Sequence, residues 1–233
     1  MKTSAKNLIG REVVGIDGSI GDVQDVYFDD ERWVVRYLVV ETGAWLSHRQ
    51  VLISPLSVLG IGGEDSPVNI NLTQAILETG PDVSTHEPVS RRFEIEYSEH
   101  FEYPIYWSGA GLWGAAMNPV AFAKQSITED EERKILDKKS DESHLRSVQE
   151  VTGYHIQATD GSVGHIEDFV IDNESWAIGS IVVDTRNWLP GRKVTIDSTS
   201  IVEILWSDSV VRIDLDIEHV KEAPELEESF RSI

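Results

Sequence analysis

The chain of 233 residues contains no cysteine, which excludes disulfides, thiolate metal sites and cysteine nucleophiles at once. Basic side chains are scarce: 20 Lys and Arg stand against 41 Asp and Glu, a formal charge of −21 that repels phosphate backbones and anionic lipid. Direct nucleic-acid binding is therefore not expected. The N-terminal stretch MKTSAKNLIGREVVGID has no apolar run of secretory length, so the chain is expected in the cytoplasm. Glycine-rich phosphate loops, G-x-S-x-G serine signatures and calcium-loop ladders are also missing. GAGLWG at 109–114 lacks the preceding strand and the downstream acid that a dinucleotide site requires. These absences leave no catalytic residue and no cofactor to nominate, and the protein is read as a non-enzyme.

From Tyr103 to Ala123 no residue is charged, a length close to a membrane span. Pro104, Pro119, Asn118 and Ser108, with three glycines, make insertion unfavourable. The segment is read instead as an aromatic, small-residue linker on the surface or against another subunit.

What the chain does have is a repeat. Residues 16–33, IDGSIGDVQDVYFDDERW, return at 159–176 as TDGSVGHIEDFVIDNESW, and a constant offset of 143 aligns Gly10–Val83 with the later segment without a gap. Of these 74 positions 25 are identical, about a third, where chance gives roughly one in sixteen. Asp17, Gly18, Ser19, Gly21, Asp25, Asp29, Glu31 and Trp33 all recur, as do Trp45, Leu46 and Arg49, in the form Trp188, Leu189 and Arg192. The layout is a first module at 1–83, a linker at 84–147 and a second module at 148–233.

Each module reads as β-strands. REVVGI, the Asp17-Gly18 turn and IGDVQDVYFD predict a hairpin, and WVVRYLVVE a central strand rich in β-branched and aromatic residues. RQVLIS, LSVLGI and PVNIN follow, with KVTID, SIVEILW and SVVRIDL in the second copy. Five or six short antiparallel strands close most economically into a small barrel. TQAILETGP and DIEHVKEAP predict closing helices capped by Thr73 and Asp216, a capping box predicts a short helix near Thr128, and VSTHEPVSRRFEIEYSEHFEYP is read as irregular. Apolar residues occupy both faces of WVVRYLVVE, so the two barrels are expected to bury outward faces against each other about a pseudo-two-fold axis.

The set D-G-S-x-G, D-x-E-x-W, V-V-x-T and W-L-x-x-R resembles the PRC-barrel family, over residues 10–83 and 153–226. The resemblance implies a small β-barrel used as a docking and stabilising module, as in the photosynthetic reaction centre H subunit and a ribosome maturation factor. It implies an interaction or assembly role with protein partners, self-association left open. An accessory of photosynthetic electron transfer is the alternative, and a ligand- or metal-binding protein a further one. The chain shows neither the H subunit's N-terminal membrane helix nor the maturation factor's N-terminal domain.

Candidate contact residues are Trp45, Arg49, Trp188 and Arg192 at the barrel mouths and Trp107 and Trp113 in the linker, since Trp and Arg are enriched in binding hot spots. The simpler reading of the four mouth residues is a ring covering the barrel, with the arginines paired to carboxylates. Asp25, Asp29, Asp30 and Glu31, with Asp168, Asp172 and Glu174, read as solvated turn carboxylates. His155 and His165 are placed on opposite faces of their hairpin if its loop has two residues, and no metal is assigned to them.

Overall fold

The repeated phrase builds the same hairpin twice, and its fixed residues each have a local task. In the computed structural model, which describes residues 1–63, 66–83, 89–123, 144–185 and 192–226, β2 (Glu12–Gly15) turns at Asp17-Gly18 into the long strand β3 (Gly18–Asp29). A Cβ on Gly21 would lie 1.9 Å from Glu41 O, and one on Gly164 2.0 Å from Asp184 O, so only glycine lets the strands approach. The Asp17 carboxylate accepts the Gln74 N–H at 3.0 Å, and Asp160 accepts the Ile217 N–H at 2.9 Å. The aspartate of each Asp-Gly turn thus takes up an otherwise orphaned donor of its closing helix, α2 (Gln74–Glu78) or α6 (Ile217–Glu222). Thr73 and Asp216 cap those helices as expected.

Trp33 and Trp176 close the phrase in the left-handed region, at φ 53° and 61°. Asp29 shapes the first of these turns, accepting the Glu31 and Arg32 N–H groups at 3.0 and 3.2 Å. Asp29 is only 1% exposed and Asp168 7%, so these two are internal acceptors and not the solvated carboxylates the sequence suggests. Both give up hydration because donors surround them.

The chain divides into two units. The N-terminal unit comprises Asn7–Arg146 and Asn173–Ala177; the C-terminal unit comprises Met1–Lys6, Ser147–Asp172 and Ile178–Ile233. In the former, β2, β3, β4 (Val34–Thr42), β5 (Gln50–Ile53), β6 (Val58–Ile61) and β7 (Val68–Ile70) lie in the order β5-β4-β3-β2-β7-β6, with β8 (Leu145–Ser147) added beside β3. In the latter, β9 (His155–Gln157), β10 (Ser162–Asp172), β11 (Ile178–Asp184), β12 (Lys193–Asp197), β13 (Ile201–Leu205) and β14 (Val210–Ile213) repeat that order, and β1 (Lys2–Ser4) pairs with β10. Among the described residues each sheet has seven strands, and the protein is mainly β.

Two details depart from the expected antiparallel barrels. β2 pairs with β7, and β9 with β14, in parallel. Among the described residues the end strands β5 and β6 do not pair; a 3-10 turn at Pro55–Ser57 joins them. The physical reason is that the turn at Pro55–Ser57 bends the chain without reversing it: β5 and β6 keep one sense, and the β6–β7 hairpin then brings the last strand alongside the first in the same direction.

The first unit's core includes Val13, Ile20, Val26, Phe28, Leu38 and Ile53, all fully buried or nearly so. On the other face of β4, Tyr37 and Val39 pack with Leu52, Val83, Val89, Tyr97 and Leu145. The outer face that was expected to meet the second barrel is thus covered at these positions by the linker. It is covered because residues 91–101, read as irregular, form α3 (Arg91–Phe101). Ser90 caps that helix at Phe93 N, and Phe93, Tyr97 and Phe101 recur every four residues along one side. The helix expected near Thr128 lies outside the described residues. Within 103–123 there is only a 3-10 turn (Tyr106–Ser108) and α4 (Pro119–Phe122), and no described helix is long and apolar enough to cross a membrane.

Candidate functional site

Covering β4 with α3 buries ionisable groups along with the apolar ones. α3 directs Glu94 inward, and its side chain has no exposure. Tyr106 Oη donates to Glu94 Oε1 at 2.6 Å, Tyr37 Oη donates to the same oxygen at 3.2 Å, and Arg91 Nη1 donates to Oε2 at 3.3 Å. His144 closes the group, with Nε2 2.9 Å from Tyr106 Oη and 3.6 Å from Glu94 Oε2. One tyrosine hydroxyl therefore bridges a carboxylate and an imidazole.

Beside this group lies Arg36, fully buried on β4. Its Nη2 donates to Asp29 Oδ2 at 3.1 Å, while Nε and Nη1 have no hydrogen-bond acceptor among the described residues. Aromatic faces partly compensate: Cζ stands 3.8 Å from the Tyr106 ring centroid and 4.8 Å from that of Trp113. Arg91 in turn lies 4.3 Å over Trp107. Arg32 fixes the turn that carries these rings, donating to the carbonyls of Tyr106, Gly109 and Gly111.

Burial dominates the electrostatics. It raises the Glu94 carboxyl to about 7, against the opposing pull of Arg91, the Tyr106 hydroxyl, Arg36 and the Tyr37 hydroxyl. Burial likewise pushes the Tyr37, Tyr97 and Tyr106 phenols well above their ordinary value, the neighbouring Glu94 charge adding to this at Tyr37 and Tyr106. The cluster is suited to holding and exchanging a proton. Being enclosed, it offers no open surface to a substrate.

Of the sequence candidates, Trp107 and Trp113 border this cluster and the described barrel-mouth residues lie elsewhere. Trp45 is half-buried, and its Nε1 donates to Ile20 O at 2.7 Å. Arg49 donates to the carbonyls of Leu77 and Gly80 at 3.0 and 3.2 Å, and Arg192 to Lys221 O at 3.1 Å. Both arginines thus hold the C-terminal ends of α2 and α6, where unpaired carbonyls collect. Carboxylates add less at the first site, with Asp82 3.8 Å from Arg49, and more at the second, with Glu225 2.8 Å from Arg192. Trp188 lies outside the described residues. Trp113 is 1% exposed, and its Nε1 donates to Ser175 O at 2.7 Å, so it belongs to the interior and offers no contact surface. Trp107 is half-buried against Arg91.

His155 and His165 are register partners and so share a face, contrary to the sequence expectation. A register shift between Ser162 and Gly164 inserts the extra residue that realigns them. Among the described residues no group of three or more His, Asp or Glu is arranged to hold a metal. Glu94 and His144 were not singled out from sequence; the available signal was the Ser90 cap with its four-residue aromatic spacing, which makes a helix and turns Glu94 inward.

The strand order, the Asp-Gly hairpin and the capping helix together define a small β-rich module. Residues 2–64 match the family model described as PRC-barrel domain. Comparison with curated proteins gives no match. The second copy rests on the 143-residue repeat and on its identical strand order.

Proposed function

We propose that the protein is a non-enzymatic interaction or assembly module made from two PRC barrels, at residues 10–83 and 153–226. PRC domains commonly serve as interaction modules, and the N-terminal unit supplies a surface for that role. Met117 and Val120, just before and within α4, are 63% and 62% exposed, and Leu59 on β6 is 69% exposed. α4 packs on the 3-10 turn Pro55–Ser57 that leads into β6, so the three side chains sit on adjoining elements. Exposed apolar side chains gathered in this way mark a contact surface. This observation carries the reading: the contact surface comes from the small-residue part of the linker, the tryptophans being drawn inward.

The partner is expected to be protein, since a charge of −21 disfavours nucleic acid. The test is affinity capture with the intact chain and with a Met117→Glu, Val120→Glu double variant, alongside size-exclusion chromatography with light scattering. Partners or self-association lost selectively in the variant support the proposal. An intact chain that stays monomeric and captures nothing, or a variant that captures the same set, removes it.

A further inference from the structure

We propose that Glu94, Tyr106 and His144 form a proton-linked latch for α3, holding one more proton when the helix is seated on β4 and β5 than when it lifts away, so that rising pH loosens it. The seat is defined by Tyr97, whose hydroxyl donates to Leu52 O at 3.0 Å and accepts the Ser54 N–H at 3.1 Å, and by Tyr37 reaching Glu94 from β4. Lifting α3 would return Glu94 to water.

The proton balance is simple. With Glu94 ionised, Tyr106 O–H donates to Oε1, and an Nε2–H of neutral His144 donates to Tyr106 Oη. With one proton taken up from water by the cluster, the Nε2 proton has passed to Tyr106 Oη and the Tyr106 proton to Glu94 Oε1, the imidazole carrying the incoming proton. The imidazole remains neutral, and the carboxyl now donates to Tyr106 Oη, which donates to Nε2. The 2.6 and 2.9 Å separations suit both arrangements. His144 is the entry side, its side chain keeping 8% exposure against 0% for Glu94.

The groups facing Glu94 come from every neighbouring element: Arg91 from its own helix, Arg36 and Tyr37 from β4, Tyr106 from the 3-10 turn and His144 from the segment before β8. Asp29 on β3 is already engaged by Arg36. Two cations therefore temper the cost of an ionised Glu94 without removing it, and burial still raises the carboxyl to about 7. The seated state then binds more protons than the open one between an ordinary glutamate value of roughly 4.3 and that raised value. Its stability is fully present below this window, declines through it and levels off above.

Hydrogen exchange of the α3 amides in the full chain, corrected for intrinsic rates, tests the latch between pH 5.5 and 8.5. Opening should rise about tenfold per pH unit up to neutrality and then level, while Glu94→Gln, which mimics the protonated carboxyl, should show no such rise. Equal pH dependence in the two proteins, or none in the intact chain, overturns the proposal. Should the glutamine variant not fold, infrared titration of the intact chain and of Tyr106→Phe replaces it. A buried carboxyl titrating near neutrality, moved upward by loss of the Tyr106 hydroxyl, supports the latch; the absence of that titration or of that shift sinks it.

Discussion

The two copies share a framework and differ in what lies on it. Where β4 of the first copy has Arg36 and Tyr37, β11 of the second has Gly179 and Ser180. Arg36 and Tyr37 are buried beneath α3 and Tyr106, whereas Gly179 is exposed and Ser180 half-buried. The residues that recur hold turns, close approaches and helix ends. Arg36 and Tyr37, which diverge, join the linker residues Glu94, Tyr106 and His144 in the enclosed polar cluster, which among the described residues is found in the first unit only. Duplication has kept the scaffold and specialised a single face, so the place to look for a private property is where the repeat fails.

The largest losses are expected where the shared framework itself is struck. Gly21→Ala and Gly164→Ala each force a Cβ to about 2 Å from a backbone carbonyl, and both should cost more than roughly 3 kcal/mol by chemical denaturation. A large loss in one copy only would show that the frameworks are not equivalent. Arg36→Ala comes next: it strips the buried Asp29 of its cation and should cost about 3 kcal/mol. Gly179→Ala, at the matching site with nothing within 4 Å, should be near neutral.

Ser4→Ala probes the C-terminal unit from the far end of the chain. The Ser4 hydroxyl donates to buried Asp168 Oδ2 at 2.6 Å, and Lys6 N donates to Oδ1 at 3.1 Å. Its loss should lower stability by about 1–2 kcal/mol and speed hydrogen exchange in β10, with little effect in β3. The smallest effect is expected from Asp17→Ala and Asp160→Ala, each removing one exposed acceptor at a helix start, about 0.5–1 kcal/mol by thermal melting. Equal small losses would confirm that these aspartates do the same job in both copies.

Much of the fold could be read from residues alone because its signals are local. Asp17-Gly18 fixes a hairpin, β-branched runs fix strands, and Thr73 and Asp216 fix helix starts, each within a few residues. What was not legible depends on distant partners. Parallel pairing of β2 with β7 follows from how the chain returns, and the register shift that aligns His155 with His165 from one extra residue in one strand. Asp29 and Asp168 look like surface turn residues until Arg36, or Ser4 from more than 160 positions away, is brought beside them. The cluster was hidden for the same reason: Tyr37, Glu94, Tyr106 and His144 span more than a hundred residues, and only the seating of α3 brings them together. Trp113 and Trp45, conspicuous in the sequence as contact candidates, serve to fill and tie the first unit.

The added strands β1 and β8 bear on how the polypeptide is made. The sheet of the first copy includes residues 145–147, and its unit extends to Ala177, so it stays unfinished on the ribosome for nearly a hundred residues after Val83 is synthesised. At ordinary elongation rates that is on the order of ten seconds during which a nascent β-rich edge must be shielded. The interval before residues 145–147 and 173–177 are synthesised is therefore the stage at which the first copy's sheet is least complete.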